Sequence, residues 1–314
     1  MIVDKITVVG AGNVGATVAN VVAHNDLARE VILVDIKQGV AEGKALDIWQ
    51  SASIQDFNTR VIGVTNDYLR TRGSSVVVIT SGLPRKPGMS RDDLIKTNAE
   101  IVKEVMESAV RYSPDASFIV VSNPLDVMTY AAYQASHKPA NKVFGMAGIL
   151  DTARYRAFIA EALDISPKGV HALLLGGHGD TMVPLPSHTS VSGIPLAEML
   201  GKDQIAKIVE RTKKGGGELV SLMGTSAWYA PGAAAAAMVE AIVRDQKRIF
   251  PCCTLLNGEY GLKDVFLGVP VILGRRGVEQ IIEMDLDKEE KEQLKTSAKS
   301  VKDIMKALDN MKLF

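Results

Sequence analysis

Apolar residues fall in short blocks separated by polar turns, and the spacing within the blocks switches between two kinds. Lys5 to Val9 is a compact run that reads as a buried strand, and Val14, Val18, Val21 and Val22 then recur at helical spacing. Glu30 to Val34, Val76 to Thr80, Ser117 to Ser122 and Lys142 to Phe144 are further strand-like runs. Between them, Val40 to Ala52 places Ala41, Ala45, Ile48, Trp49 and Ala52 on one side of a helix. Leu94, Ile101, Val102, Val105 and Ala109 mark another helix, with Ser90 and Asp93 spaced as a capping box at its start. Strand and helix therefore alternate from residue 5 to about 145. That pattern predicts an α/β fold with a doubly wound parallel sheet covered by helices on both faces.

Beyond residue 145 the order becomes mixed. A helix carries Asp151 and Arg154, runs through Phe158, Ile159 and Leu163, and ends near Ser166-Pro167. Val170 to Leu175 reads as a strand, and Met182 to His188 and Thr189 to Ile194 as antiparallel strands broken by Pro184 and Pro186. Helical spacing returns from Gln204 to Thr212, and Gly215-Gly216-Gly217 predicts a joint or a helix break. Glu218 to Arg248 is helix-forming with an interruption at Pro231-Gly232. Thr254 to Tyr260 and Val265 to Leu273 read as strands joined through Gly261 to Asp264. Asp287 to Leu313 is a long amphipathic helix of mixed charge, to which no chemistry is assigned. This half predicts an α+β domain. A chain of 314 residues, at roughly 150 per domain, divides into residues 1–145 and 146–314.

Composition narrows the function classes. The chain is 46% hydrophobic and 23% charged, enough apolar residue for a sizeable core. Its 36 basic and 36 acidic residues balance, which gives no support for nucleic-acid or anionic-membrane binding. No apolar run reaches the roughly 18 residues of a membrane span, and the N-terminus lacks the basic and long apolar regions of a signal peptide. Cys252 and Cys253 are adjacent, so they read as reduced thiols in a cytoplasmic protein. The five histidines and two cysteines show no metal-ligand spacing.

Candidate chemistry begins at Gly10-Ala11-Gly12-Asn13-Val14-Gly15, a G-x-G-x-x-G run between a strand and a helix. Gly10 permits the tight turn, Gly12 lets a pyrophosphate approach the backbone, and Gly15 lets the helix pack close to the strand. The helix N-terminus offers free N–H groups to phosphate. The alternative use of these glycines is a plain strand-to-helix turn. Asp35 closes the second strand twenty residues beyond Gly15. A carboxylate there accepts from ribose hydroxyls and repels a 2′-phosphate, which favours NAD over NADP in a Rossmann fold; a solvated strand end is its alternative. Gly39 to Lys44 is one residue short of a phosphate loop and has Ala45 where magnesium needs Ser or Thr, so it is rejected.

Three more groups carry candidate chemistry, the first two at strand ends. The Pro- and Gly-rich segment Ser81 to Asp93 carries Arg85, Lys86 and Arg91, with a solvated basic loop as the plain alternative. Asn123 precedes Pro124 at a strand end, where it either orients a ligand oxygen or makes a turn. Asp151 and Arg154 are spaced to share a helix face, and His178 lies in the turn Gly176-Gly177-His178-Gly179-Asp180.

Taken in order, the glycine motif, Asp35, Ser122-Asn123-Pro124, Leu150-Asp151-Thr152-Ala153-Arg154 and Gly176 to Asp180 resemble the lactate and malate dehydrogenase family over nearly the whole chain. Leu83 to Arg91 is similar to the malate-type members whose overall pattern is lactate-dehydrogenase-like. The resemblance implies hydride transfer between NAD and the C2 carbon of malate or oxaloacetate. It makes His178 the proton donor and acceptor, and Asp151 the group that orients it. Arg154 binds the C1 carboxylate, while Arg91 and Asn123 act on the C2 oxygen. Arg85 meets the distal carboxylate, where lactate dehydrogenases carry glutamine. Cofactor contacts fall on Gly10, Ala11, Gly12, Asn13, Val14, Gly15, Asp35, Asn98, Val121 and Asn123. Ala227 aligns with a pocket position, with Thr225 and Ser226 as alternatives. A homodimer or homotetramer is implied, with Val40 to Ala52 as the candidate contact. Lactate dehydrogenase, a broader 2-hydroxy-acid dehydrogenase, and a non-catalytic NAD-binding regulator are the competing readings.

Overall fold

The structure, a computed structural model, describes residues 3–84 and 90–314. Six strands run parallel: β1 (Val3–Val9), β2 (Ala28–Asp35), β3 (Arg60–Thr65), β4 (Val76–Ile79), β5 (Ser117–Val120) and β6 (Val143–Gly145). They lie in the order β3-β2-β1-β4-β5-β6. The winding reverses between β1 and β4, which opens a crevice beyond the C-terminal ends of these strands.

The apolar runs are continuous because both faces of the sheet are covered. Val31 and Leu33 enter one buried cluster while Ile32 and Val34 enter another. The first cluster takes side chains of α1 (Asn13–His24) and α2 (Val40–Gln50). After the short α3 (Ala52–Gln55), the second cluster is covered by α4 (Arg91–Tyr112) and α5 (Leu125–Ser136). The Ser90–Asp93 capping box forms: Ser90 Oγ accepts from the Asp93 N–H at 3.1 Å, and the Asp93 carboxylate accepts from the Ser90 N–H at 3.2 Å.

The second half starts with α6 (Gly148–Leu163), followed by the two-residue strands β7 (Val170–His171), β8 (Leu174–Leu175), β9 (Val183–Pro184), β10 (Ser190–Val191) and β11 (Ile194–Pro195). Then come α7 (Leu196–Met199), α8 (Lys202–Met223), α9 (Tyr229–Val243), β12 (Arg248–Asn257), β13 (Lys263–Gly274), β14 (Gly277–Ile281) and α10 (Lys288–Asn310). Strands β12 to β14 are antiparallel and extend the parallel sheet past β6 to nine strands, with Cys253 opposite Gly145. A third cluster built on Tyr155, Ile159, Val170, Leu196 and Ile208 holds α6, α8 and the small strands together.

Several local expectations are corrected. Val170 to Leu175 is not one strand. It splits at Ala172-Leu173, so β7 joins β10 and β11 while β8 pairs with β9. The Leu174 N–H turns to Thr152 Oγ1 on α6, which takes it out of any continuous ladder. The segments from Met182 to Ile194 form only dipeptide strands, since Pro186 starts a 3-10 turn between them. Gly215 to Gly217 do not break α8. Packing against α6 outweighs a penalty of about 1 kcal/mol per glycine.

The interruption expected at Pro231-Gly232 lies earlier, at Gly224 to Trp228, where Gly224 adopts φ +69° as the helix cap. Pro231 sits in the first turn of α9, where the missing N–H costs nothing. A Cβ on Gly232 would lie 2.5 Å from Thr17 of α1, so this glycine serves helix contact. The strand expected from Thr254 to Tyr260 starts and ends earlier, β13 begins at Lys263, and β14 was unanticipated. The helix expected to Ala52 ends at Gln50, and Trp49 is 45% exposed, so only Ala41 and Ala45 of its apolar face are buried.

Candidate active site

Segments at the C-terminal ends of β1, β2, β5 and β6 contribute to the crevice. After β1, Gly10 has φ +100°, and a Cβ there would sit 2.7 Å from Thr80 Oγ1. A Cβ on Gly15 would lie 1.8 Å from the Gly10 carbonyl oxygen, so α1 approaches its own strand as closely as backbone allows. Gly12 differs: among the described residues nothing stands within 4 Å of its missing side chain. It is also the N-cap of α1, with no side chain capping the helix. Open space at an uncapped helix N-terminus fits a bound phosphate. Asn13 and Val14 form the first turn, and Asn13 Oδ1 accepts from Lys44 Nζ at 3.4 Å.

Asp35 ends β2 and faces this loop. Its Oδ2 accepts from the Ala11 N–H at 2.7 Å and its Oδ1 from the Lys37 N–H at 2.9 Å. The carboxylate thus braces the glycine loop and keeps lone pairs for further donors. On the far side of the crevice, Asn98 of α4 is buried. Its Oδ1 accepts from the Leu83 N–H at 2.8 Å, and its Nδ2 donates to the Leu83 carbonyl at 3.1 Å and to the Asn123 carbonyl at 2.7 Å. Asn98 therefore ties the root of the basic segment to the end of β5, and its amide hydrogens are already engaged there.

The second half brings an imidazole and its carboxylate partner to the same place. Asp151, in the first turn of α6, is 2% exposed. Its Oδ2 lies 2.7 Å from His178 Nδ1 and its Oδ1 accepts from Arg154 Nη1 at 3.2 Å. One buried carboxylate thus positions both an imidazole and a guanidinium. Burial disfavours the imidazolium of His178, but the charge and hydrogen bond of Asp151, with the charge of Asp126, outweigh it. Arg154 opposes them, and the net effect raises the His178 pKa. Among the described residues Arg154 Nε is buried with no protein acceptor, a donor suited to an anionic ligand.

His178, Arg154, Asn123, Val121 and Val14 line one cavity of about 280 Å³. Ser226 and Ala227 also line it, whereas Thr225 does not, which narrows the pocket position to those two. Gly216 of α8 borders Arg154, and a Cβ on Gly215 would lie 3.3 Å from Arg154 Cδ. The glycine run thus makes room for the guanidinium. Arg91 is not brought into the cavity. It is the exposed first residue of α4. Arg85 lies outside the described residues.

A family model for the lactate/malate dehydrogenase NAD binding domain matches residues 4–145, and one for the lactate/malate dehydrogenase alpha/beta C-terminal domain matches residues 149–311. The chain belongs to the lactate/malate dehydrogenase family. It is 64% identical over 307 residues to a malate dehydrogenase of Cytophaga hutchinsonii, covering 98% of both chains. The solved malate dehydrogenase of Salinibacter ruber superposes with a TM-score of 0.94 at 59% identity, again over 98% of both. A lactate dehydrogenase of Cryptosporidium parvum, solved with lactic acid and nicotinamide adenine dinucleotide, also reaches 0.94, at 40% identity and 99% of both chains.

Several residues of the site escaped the sequence reading. Thr80 Oγ1 donates toward the carbonyls of Val9 and Gly10, and Ser122 Oγ donates to the Ser81 carbonyl, so both stitch the strand ends around the crevice. Their position at the ends of two apolar runs was the available signal. Asp126 and Ser297 hold the turn that carries His178. A charged residue in the otherwise apolar start of α5 marked the first, and nothing local marked the second.

Proposed function

We propose that the chain interconverts (S)-malate and oxaloacetate with NAD as the hydride carrier. The observation that supports this best is the shared carboxylate of Asp151, which fixes an acid–base imidazole and a carboxylate-binding guanidinium in one cavity. The lactate dehydrogenase among the structural neighbours shows that the fold alone does not choose the substrate. The malate dehydrogenases among the relatives favour the four-carbon diacid.

Gly10 to Gly15 and the α1 N-terminus hold the pyrophosphate, Asp35 accepts from the adenosine ribose, and Val121, Asn123 and Asn98 border the nicotinamide side. Asp35 disfavours a 2′-phosphate, hence NAD over NADP. Bound there, NAD⁺ supplies the hydride acceptor. Neutral His178 takes the hydroxyl proton of malate at Nε2, and its protonated form returns a proton when oxaloacetate is reduced. Asp151 keeps the imidazole oriented and stabilises its cation. Arg154 grips the C1 carboxylate through its fork. Asn123 donates to the C2 oxygen, and Arg91 must turn inward to polarise it. Arg85 balances the distal carboxylate, since an enclosed charge without a partner is strongly disfavoured.

In this reading residues 1–145 carry the cofactor and residues 146–314 most of the substrate chemistry. The free, buried thiols of Cys252 and Cys253 support a cytoplasmic setting, and no helix among the described residues is long and apolar enough to cross a membrane. The deciding experiment compares kcat/KM for oxaloacetate and pyruvate, each with NADH and NADPH. We expect oxaloacetate with NADH to exceed the other pairings by orders of magnitude. Equal or better turnover of pyruvate would overturn the substrate assignment, and preference for NADPH would overturn the role of Asp35.

A further inference from the structure

The turn bearing His178 is held from two sides. The His178 N–H donates to Asp126 Oδ2 at 2.8 Å, and the preceding Gly177 N–H donates to Ser297 Oγ at 2.8 Å. Asp126 belongs to the first turn of α5, three residues after Asn123, whereas Ser297 comes from the middle of α10. Neither residue is near His178 in sequence, and both are buried. Two consecutive backbone donors are thus satisfied by side chains from separate helices.

The fit is tight on the side that matters. A Cβ on Gly177 would lie 2.7 Å from Val301 Cγ2 and 3.2 Å from Asp126 Oδ2, so only glycine lets the turn sit this deep against both helices. Ser297 Oγ also donates to Thr181 Oγ1 at 3.1 Å, closing the far end of the turn. Among the described residues Asp126 Oδ1 has no nitrogen or oxygen donor, and the carboxyl's other side-chain hydrogen bond comes from the weakly donating Cys253 thiol. A carboxyl kept half-satisfied in the interior is costly. An uncharged acceptor such as asparagine would serve the single backbone bond, so the bond alone does not account for a carboxyl there.

We propose that Asp126 is a positioning residue for proton transfer: with Ser297 it fixes the main chain of His178, and its carboxylate acts as a second negative charge behind the imidazole. Asp151 addresses the ring through Nδ1 and Asp126 addresses the backbone beneath it. Both favour the imidazolium. The charged and titratable groups around this pair are Asp151 and Arg154 on α6 and Cys253 on β12. On α10 the neighbours are Ser297 and Val301, which do not ionise. Arg154 opposes the imidazolium, and burial holds the Cys253 thiol neutral. Burial raises the carboxyl pKa of Asp126 above its ordinary value, against the pull of the His178 charge, the His178 N–H and the Cys253 thiol, so the carboxyl and the imidazole titrate as a coupled set.

The inference uses the proposed role of His178 but is tested separately from it. In full-length apo protein, the imidazole titration of His178 is followed by NMR with labelled histidine, assigned by comparison with His178→Asn. Asp126→Asn keeps an acceptor for the backbone and removes the charge. We expect its His178 pKa to fall by about half a unit or more, the scale on which a nearby charge acts. In turnover, the same variant should move the pH limb of kcat downward while KM for oxaloacetate changes less than about twofold. Ser297→Ala, which loosens the turn without touching charge, should lower kcat and leave the His178 pKa in place. An unchanged His178 titration in Asp126→Asn would overturn the electrostatic role, even with wild-type turnover intact. A wild-type enzyme without activity toward 2-oxo acids would defeat the functional reading while leaving the NMR result interpretable.

Discussion

At the residue scale, the site is organised by carboxylates that each do two things. Asp35 braces the glycine loop through Ala11 and Lys37, and Asp151 is shared by His178 and Arg154. Because the His178 pKa is raised, its imidazolium persists above the ordinary value of about 6.5. Oxaloacetate reduction, which needs the imidazolium, should hold to higher pH and fall as pH passes the folded-state pKa, while malate oxidation rises over the same range. Asp151→Asn should pull both limbs to lower pH and lower kcat by about a hundredfold or more, read from pH–rate profiles. The same shift contributes stability that is full below the unfolded value and is lost as pH rises through the folded one. Arg85→Gln should cut the preference for oxaloacetate over pyruvate by roughly a hundredfold or more, measured as a ratio of kcat/KM values. The glycine motif, Asp35 and the Asp151–Arg154 spacing were legible in sequence because each obeys a local rule. The supports of His178 were not, because Asp126 and Ser297 meet it only through the tertiary fold.

Elements obeyed sequence periodicity where one face was buried and departed from it where glycine or proline had a second use. The parallel strands and their helices follow the apolar blocks closely. Helix α8 runs straight through Gly215 to Gly217, because the missing side chains there make room for Arg154 and Phe158 rather than for a bend. Two substitutions separate these uses. Gly217→Ala meets no atom within 4 Å and should stabilise the protein by about 0.5–1 kcal/mol, seen in denaturant melts, with kinetics unchanged. Gly215→Leu should crowd the Arg154 side chain and raise KM for oxaloacetate severalfold or more, in steady-state assays. Pro231 misled for the opposite reason: a residue that ends helices also starts them well. The small strands of the second half were hardest to read, since two-residue pairings leave no period to detect.

Across the whole molecule, large apolar side chains stay exposed on α2, α3, α8 and the start of α9. Trp49 and Leu46 are exposed, as are Ile54, Leu222 and Tyr229. Lys44, Asp47 and Ile48 share a cleft with Trp228 and Tyr229. Exposed apolar groups of this size favour self-association. The chain should therefore sediment as a dimer or larger species, and Trp49→Glu with Leu46→Glu should shift it toward monomer in analytical ultracentrifugation. The two halves seen in sequence are joined more intimately than a linker would join them, because β12 adds to β6 and the nine strands form one sheet. During synthesis, then, the first half leaves the ribosome with a bare edge along β6, and in the folded chain it is β12, residues 248–257, that covers it. Until they arrive, that edge can recruit a strand from any neighbouring chain. Crowded nascent chains or a stall before residue 248 should therefore be the moments at which this enzyme is lost to aggregates, well before any defect in its chemistry matters.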